Sequence, residues 1–422
     1  MESLIHYVWK YRLYDVGNAV ANNGSRFEVI DPGLQNSDAG PDFFNAKIKM
    51  GDAVWVGNVE IHSASSDWQK HHHEQDKAYN SVILHVTEKI DGDIYDESGR
   101  LIPQWEIKIP EKIVENYRFL LESDYPVPCA GHIREIPEIY LNDWKSALLT
   151  ERLERKTNNL LQLLKDYKND WNTVFYITLS RNFGFGINND AFERLAKSLP
   201  LKCVLKHCDS ALQTEALFLG QAGLLADGEQ ADEYYARLRQ EYIFLAKKYK
   251  LNPLEAHIFK NLRIRPDNFP HIKIVQLASI IRNRENLFSH VLEIEDKSLF
   301  FDLFRSDPSE YWQTHFRFGK LTPKRVRLLG MSSMELLLIN TVVPLLFAYG
   351  KKKNEEKFTA RALNILDSLK PEKNAVITQF SRAGITFRNA GDSQAVIQLK
   401  REYCEKKKCI YCRIGHKLLS KK

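Results

Sequence analysis

The sequence predicts an α+β fold: a small mixed α/β domain at the N-terminus, a large all-helical domain after it, and a short cysteine-rich C-terminal tail. Three observations carry this. Between residues 26 and 110, apolar and polar residues alternate in short runs bounded by turn signals, the period-two pattern of strands. From about residue 111 the pattern changes to stretches with apolar residues at i, i+3 and i+4, as in amphipathic helices. Residues 400–422 gather three of the six cysteines among nine lysines and arginines and only two glutamates. The expected boundaries are 1–125, 126–399 and 400–422.

Each element has its own signal. Leu4, Ile5, Tyr7, Val8, Trp9, Leu13 and Tyr14 recur at roughly helical spacing and lead into the loop Asn22-Asn23-Gly24. Arg26 to Ile30 alternates as a strand and stops at the turn Asp31-Pro32-Gly33. Phe43–Met50 and Ala53–His62 form a hairpin about the tight turn Gly51-Asp52. Residues 64–79 look helical, with Ser65, Ser66 or Asp67 as the cap. Ser81–Glu88 is a strand, and Leu101–Ile109 closes the block at Pro110. Beyond it, Leu148–Lys165, Asp190–Leu199, Leu212–Leu225, Ala231–Lys248, Met334–Tyr349 and Phe358–Leu369 are the expected helices. Pro344 should kink or split one of them. The glycines of Gly220-Gln221-Ala222-Gly223 lie inside a helical pattern, so they predict close helix packing and not a dinucleotide loop.

The chain has 422 residues and is 44% apolar, enough to bury a real core. No stretch approaches the roughly 18 uninterrupted apolar residues of a membrane span, so no membrane partner is expected. The first residues show no basic segment followed by an apolar one, so the expected location is cytoplasmic. That setting disfavours a disulfide framework and leaves the clustered cysteines as candidate metal ligands. The net charge of +6 is mildly basic and points to a polyanion, here nucleic acid. The candidate contacts are Lys70, Lys77, Arg263, Arg265 and the tail residues Lys406, Lys407 and Lys408. Oligomeric state is not legible.

The chemistry concentrates in Gly40-Pro41-Asp42 and Glu60-Ile61-His62. Glu60 and His62, two apart on a strand, share one face of the sheet, and the hairpin can carry Asp42 to Glu60. Two carboxylates make a hard oxygen site suited to Mg²⁺ or Mn²⁺. Such an ion polarises a phosphate and activates water. With the order of elements over residues 26–110, these residues resemble the PD-(D/E)xK nuclease superfamily. The resemblance implies a restriction-endonuclease-like domain cutting DNA or RNA phosphodiesters. Asp42 and Glu60 would bind the metal, His62 would stand where the superfamily has lysine, and Glu28 would be an additional acidic ligand. The substitution of His62 leaves open a catalytically inactive nucleic-acid-binding or assembly protein.

The histidines offer a further alternative, a His-based metallohydrolase. His62, His85 and one of His71-His72-His73 could hold a transition metal. Consecutive histidines on a helix, about 100° apart, cannot all face one ion. In the tail, Cys404-x4-Cys409-x2-Cys412 followed by His416 has the spacing of a structural zinc site, and Cys129 is the other candidate for the fourth ligand. One distant cysteine with three near the C-terminus also resembles the staple of an iron–sulfur cluster in helicase-associated and CRISPR-associated nucleases. Cys203 and Cys208 look like ordinary residues. Finally, Gly40-Pro41-Asp42-Phe43, Gly57 to His62, Arg265-Pro266-Asp267-Asn268-Phe269-Pro270 and Tyr403-Cys404 through Cys412-Arg413-Ile414-Gly415 resemble an uncharacterised bacterial domain-of-unknown-function family. That resemblance is close to full length and implies no activity.

Overall fold

A computed structural model describes residues 2–421 apart from 16–18, 37, 227–231, 263, 284–285 and 327, and leaves out the side chain of Lys297. The chain forms two compact units. The first comprises Met1–Trp144, Gln379–Ile385 and Leu399–Lys422, and the second Lys145–Thr378 and Thr386–Gln398. This differs from the expected division, in which the tail stood apart. The reason is burial: Ile410, Leu418 and Leu419 lie in the same apolar core as Leu4, Trp9 and Phe43.

The first unit is built on one sheet. Its strands are β1 (Phe27–Asp31), β2 (Leu34–Gln35), β3 (Phe43–Met50), β4 (Ala53–Ala64), β5 (Val82–Lys89) and β6 (Gln104–Glu106). The order is β1-β3-β4-β5-β6, with β2 also pairing to β3. β1, β3 and β4 are antiparallel, while β5 runs parallel to β4 and β6 parallel to β5. Helix α1 (Glu2–Lys10) buries Leu4, Ile5, Tyr7, Val8 and Trp9 in the core on one face of this sheet.

The expected helix over residues 64–79 is not formed. Only Asp67–Lys70 (α2) is α-helical, and two 3₁₀ turns follow, His73–Gln75 and Lys77–Ser81. β4 runs on to Ala64, the first residue that the expected helix would have used. The left-handed backbone of His72, φ 61°, then breaks the helix. Asp76 starts the last turn by accepting the Ala78 N–H at 2.8 Å. The closing strand is likewise shorter than expected. Pro110 ends the block by starting helix α3, Glu111–Glu122.

The second unit is helical. Pro344 splits the stretch Met331–Lys353 as expected, by a π-turn over Leu338–Val342. Proline has no N–H for the carbonyl four residues back. That carbonyl, on Asn340, instead accepts the side chain of Asn182 at 3.0 Å. Met331–Lys353 is long and apolar enough by length and composition to cross a membrane, yet most of it is buried in the core of this unit. A Cβ on Gly220 would strike the Tyr242 ring, which confirms close packing between helices there.

Candidate metal centre

Alternation along β4 sorts its residues between two faces. Val59 and Ile61 enter the apolar core with Leu84, Val86 and Trp105. Glu60 and His62 turn to the other face, where Glu60 stands in register with His85 and His85 with Gln104. All four of these polar side chains are buried. Asp42 reaches them from the start of β3. A bulge there, with Asn45 at φ 57°, shifts the register between Phe43 and Ala46 and re-aims the strand end. The Asp42 N–H donates to Glu60 Oε2 at 3.0 Å, and the Ile61 N–H donates to Asp42 Oδ2 at 2.9 Å. The two carboxylates are therefore neighbours, as the sequence implied. His6 of α1 joins them, with Nε2 3.4 Å from Asp42 Oδ2.

The broken helix brings in two more histidines. Because His72 reverses the chain, His71 and His73 both turn toward His62 while His72 stays exposed. His71 Nδ1 lies 3.1 Å from His62 Nε2. His73 Nε2 lies 3.3 Å from Glu60 Oε1, and His62 Nε2 lies 3.5 Å from the same oxygen. The three imidazoles present ligand atoms all within 4.8 Å of one another. Tetrahedral ligands bound to zinc at about 2.0–2.1 Å stand about 3.3 Å apart, close to the 3.1 Å between His71 and His62 and to the 3.3 and 3.5 Å of His73 and His62 from Glu60. His71 is exposed and forms the open side of the cluster.

A second layer fixes the tautomer of His62. Its Nδ1 meets His85 Nε2 at 3.0 Å. The buried His85 Nδ1 and the buried Gln104 Oε1 make no hydrogen bond among the described residues, and Gln104 is the neighbour that works most against burial at His85. Gln104 is held in turn by donating from Nε2 to the Gly92 carbonyl at 2.8 Å. An amide oxygen only accepts, so a proton on His85 Nδ1 suits Gln104 beside it and would leave Nε2 to accept. His62 then donates from Nδ1, and its Nε2 lone pair faces Glu60 and His71.

Electrostatics agree with a cation site. Burial, helped by the neighbouring imidazoles, pushes His62 down to about 3. Burial likewise pushes His85 down to about 4. At neutral pH both rings are uncharged. Burial raises the Glu60 carboxyl, against a lowering hydrogen bond from His73. Burial opposes charge on His6, but the Asp42 carboxylate 3.4 Å away outweighs it and its pKa is raised.

The other expected residues are distributed as follows. Glu28 is not part of the cluster: it pairs with Lys49, seven residues along β3 from Asp42 and so roughly 20 Å away. Lys70 pairs with Asp67 at 2.7 Å, and Lys77 lies 4.0 Å from Glu97, both on the segment that carries the histidines. Lys406 pairs with Glu402, Lys407 donates to the Leu121 carbonyl, and Lys408 is exposed. Arg265 is exposed in the second unit, and Arg263 lies outside the described residues. Cys129, Cys404, Cys409 and Cys412 all belong to the first unit. His416 points its Nδ1 at the Tyr7 hydroxyl, 2.8 Å away. Sequence reasoning missed His6 and Gln104, which carry no local signal, and the helical expectation set His71 and His73 apart.

No curated protein and no solved structure matches this chain. A family described as Protein of unknown function (DUF2851) matches residues 2–375, a span that includes every residue of the histidine–carboxylate cluster. The match covers nearly the whole sequence, and the chain belongs to the DUF2851 family.

Proposed function

We propose that the chain is a metal-dependent hydrolase of phosphodiesters, with its ion held by His62, His71, His73 and Glu60. The observation that carries this reading is the convergence of three imidazoles, their ligand atoms within 4.8 Å of one another, with Glu60 Oε1 3.3 Å from His73 Nε2 and 3.5 Å from His62 Nε2. Three nitrogens and one oxygen suit Zn²⁺, with Mn²⁺ or Fe²⁺ next. Mg²⁺ demands oxygen ligands in an octahedron. Asp42 and Glu60 each have one oxygen engaged by a backbone N–H, which leaves one oxygen apiece without such a bond for a cage of that kind.

When bound, the ion would polarise a phosphoryl oxygen and stabilise charge on the leaving oxygen. The chain's own residues supply the rest. His85 and Gln104 hold His62 in the tautomer that presents Nε2. Asp42, less buried than Glu60, is placed to accept a proton from the attacking water. His6, held beside Asp42, is placed to offset phosphate charge. Substrate class is supported by the order of elements. A helix, three antiparallel strands, a crossover and a strand parallel to β4 are similar to the PD-(D/E)xK core, with Asp42 and Glu60 in matching places. Lys70 and Lys77 beside the histidines, and the net charge of +6, fit a polyanionic substrate.

A non-catalytic nucleic-acid-binding protein on the same core is the second reading, favoured by His62 where the superfamily has lysine. Metal analysis and cleavage of labelled single- and double-stranded DNA and RNA separate the two. The first reading expects cleavage with Zn²⁺ or Mn²⁺ but not with Mg²⁺ alone. It also expects Asp42→Asn to keep the metal and lose about 100-fold in rate. Salt-sensitive binding without cleavage under any of these ions would establish the second.

A further inference from the structure

We propose a second metal site in the first unit, a four-thiolate centre formed by Cys129, Cys404, Cys409 and Cys412. It is separate from the histidine cluster and does not rest on the hydrolase reading. The four thiols gather in one place, Cys129 feeling the other three, Cys404 feeling Cys409 and Cys412, and Cys409 feeling Cys412, though no three of their sulfurs close to the 4.8 Å spread of the histidine ligand atoms. None is exposed, and Cys129 and Cys409 pack against the unit's apolar core. Four soft ligands gathered from positions nearly 300 residues apart in sequence have no packing purpose that apolar side chains would not serve better.

The backbone around them is built as a knuckle. Cys409 opens a 3₁₀ turn, and the Cys412 N–H returns to the Cys409 carbonyl at 3.2 Å. Cys412 then caps the helix Arg413–Leu419. A Cβ at Gly415 would collide with the Cys409 carbonyl, so only glycine lets that helix close on the turn. Cys404 ends a π-turn, Leu399–Cys404, whose Lys400 donates to the Pro126 carbonyl at 2.6 Å, three residues before Cys129. Lys407 donates to the Leu121 carbonyl. These bonds tie both sides of the site together without any sulfur–sulfur bond. His416, the other sequence candidate for the fourth ligand, has its Nδ1 on the Tyr7 hydroxyl, and its ring rests 4.4 Å from that of Tyr11.

Zinc and an iron–sulfur cluster share this ligand chemistry, and the experiment separates them. The full chain is purified without oxygen, its zinc, iron and acid-labile sulfide are counted, and its visible absorption is recorded. Variants Cys129→Ser and Cys409→Ser are compared with Cys203→Ser, which lies in the second unit, and with His73→Ala. The expected result is a complement of thiolate-bound metal, counted apart from any ion at the histidine cluster, that falls about tenfold in the first two and persists in the other two. Colourless zinc that is lost in the cysteine variants identifies a mononuclear site, and iron with sulfide and a thiolate-to-iron band identifies a cluster. If Cys129→Ser does not fold, Co²⁺ added to metal-free wild type gives the second readout, a thiolate-to-cobalt charge-transfer band. Wild type free of both thiol-bound metal and that cobalt band overturns the proposal. So does a metal content unchanged in folded Cys129→Ser and Cys409→Ser.

Discussion

Replacing His85 by phenylalanine should weaken metal binding beyond any loss in the metal-free fold. His85 is fully buried and touches His62 through a single 3.0 Å contact between ring nitrogens. With the histidine gone, the His62 Nδ1–H has no acceptor. In the metal-free protein the proton can move to Nε2 and turn toward Glu60 Oε1, 3.5 Å away. Metal binding needs Nε2 as a lone pair, so it forces the proton back to Nδ1, now buried and unpaired. An unsatisfied buried donor costs about 1–3 kcal/mol. At about 1.4 kcal/mol per factor of ten, that weakens the ion's Kd by about 10- to 100-fold. Outer-shell partners of metal-bound histidines elsewhere act over the same range. The assay is competition for Zn²⁺ against a chromophoric chelator at pH 7.5, beside thermal unfolding of the metal-free proteins. An unchanged Kd would refute the tautomer argument. So would an affinity loss matched by an equal loss of metal-free stability, since the cost would then fall on both states.

Further outcomes follow from other residues. His73→Ala should abolish stoichiometric metal at the cluster, while His72→Ala, one residue away but exposed, should leave it; equal loss in both would mean that the reversal at His72 does not select the ligands. In the second unit, burial pushes His271 down to about 4, and the charge of Arg317 acts in the same direction. The unfolded chain takes up this proton below about pH 6.5 and the folded chain does so only near 4. Stability is therefore full above 6.5 and falls by about 3 kcal/mol as pH drops to 4. Urea unfolding of wild type and His271→Leu should diverge over that window, and parallel profiles would refute it. Asn182→Ala strips the Asn340 carbonyl of its donor and should lower the stability of the second unit by about 1–3 kcal/mol; if Pro344→Ala does not relieve that loss, proline is not the cause of the π-turn.

The sheet was the most legible part of this chain. Phe43–Met50 was readable to the residue because period-two alternation ran into Gly51-Asp52, a turn that fixes register by itself. The juxtaposition of Asp42 and Glu60 followed from that hairpin. The segment 64–79 failed for an equally local reason. Its polar and apolar residues fit a helix, and the choice between helix and turn lay in one left-handed residue, His72, for which no pattern signals. Helical geometry then separated His71 from His73 on paper, whereas the broken backbone brings them together. His6 and Gln104 were not legible at all, since each becomes informative only when α1 and β6 are placed against β4. Spacing alone left His416 and Cys129 open as partners of the terminal cysteines. Their distinction depends on chain segments far apart in sequence.

The first unit draws on residues at both ends of the chain. During synthesis, its sheet and α1 leave the ribosome early, but Ile410, Leu418 and Leu419 emerge only after all of Lys145–Thr378. Its core thus remains incomplete while the helical unit is being made, and the N-terminal sheet must wait with apolar surface uncovered. The second unit faces a shorter delay, since it lacks only residues 386–398 at that stage. A nascent chain of this protein should accordingly gain protease resistance from its middle outward, with residues 1–144 protected last. Fusions or deletions near the C-terminus would then disturb the fold of residues translated several hundred codons earlier.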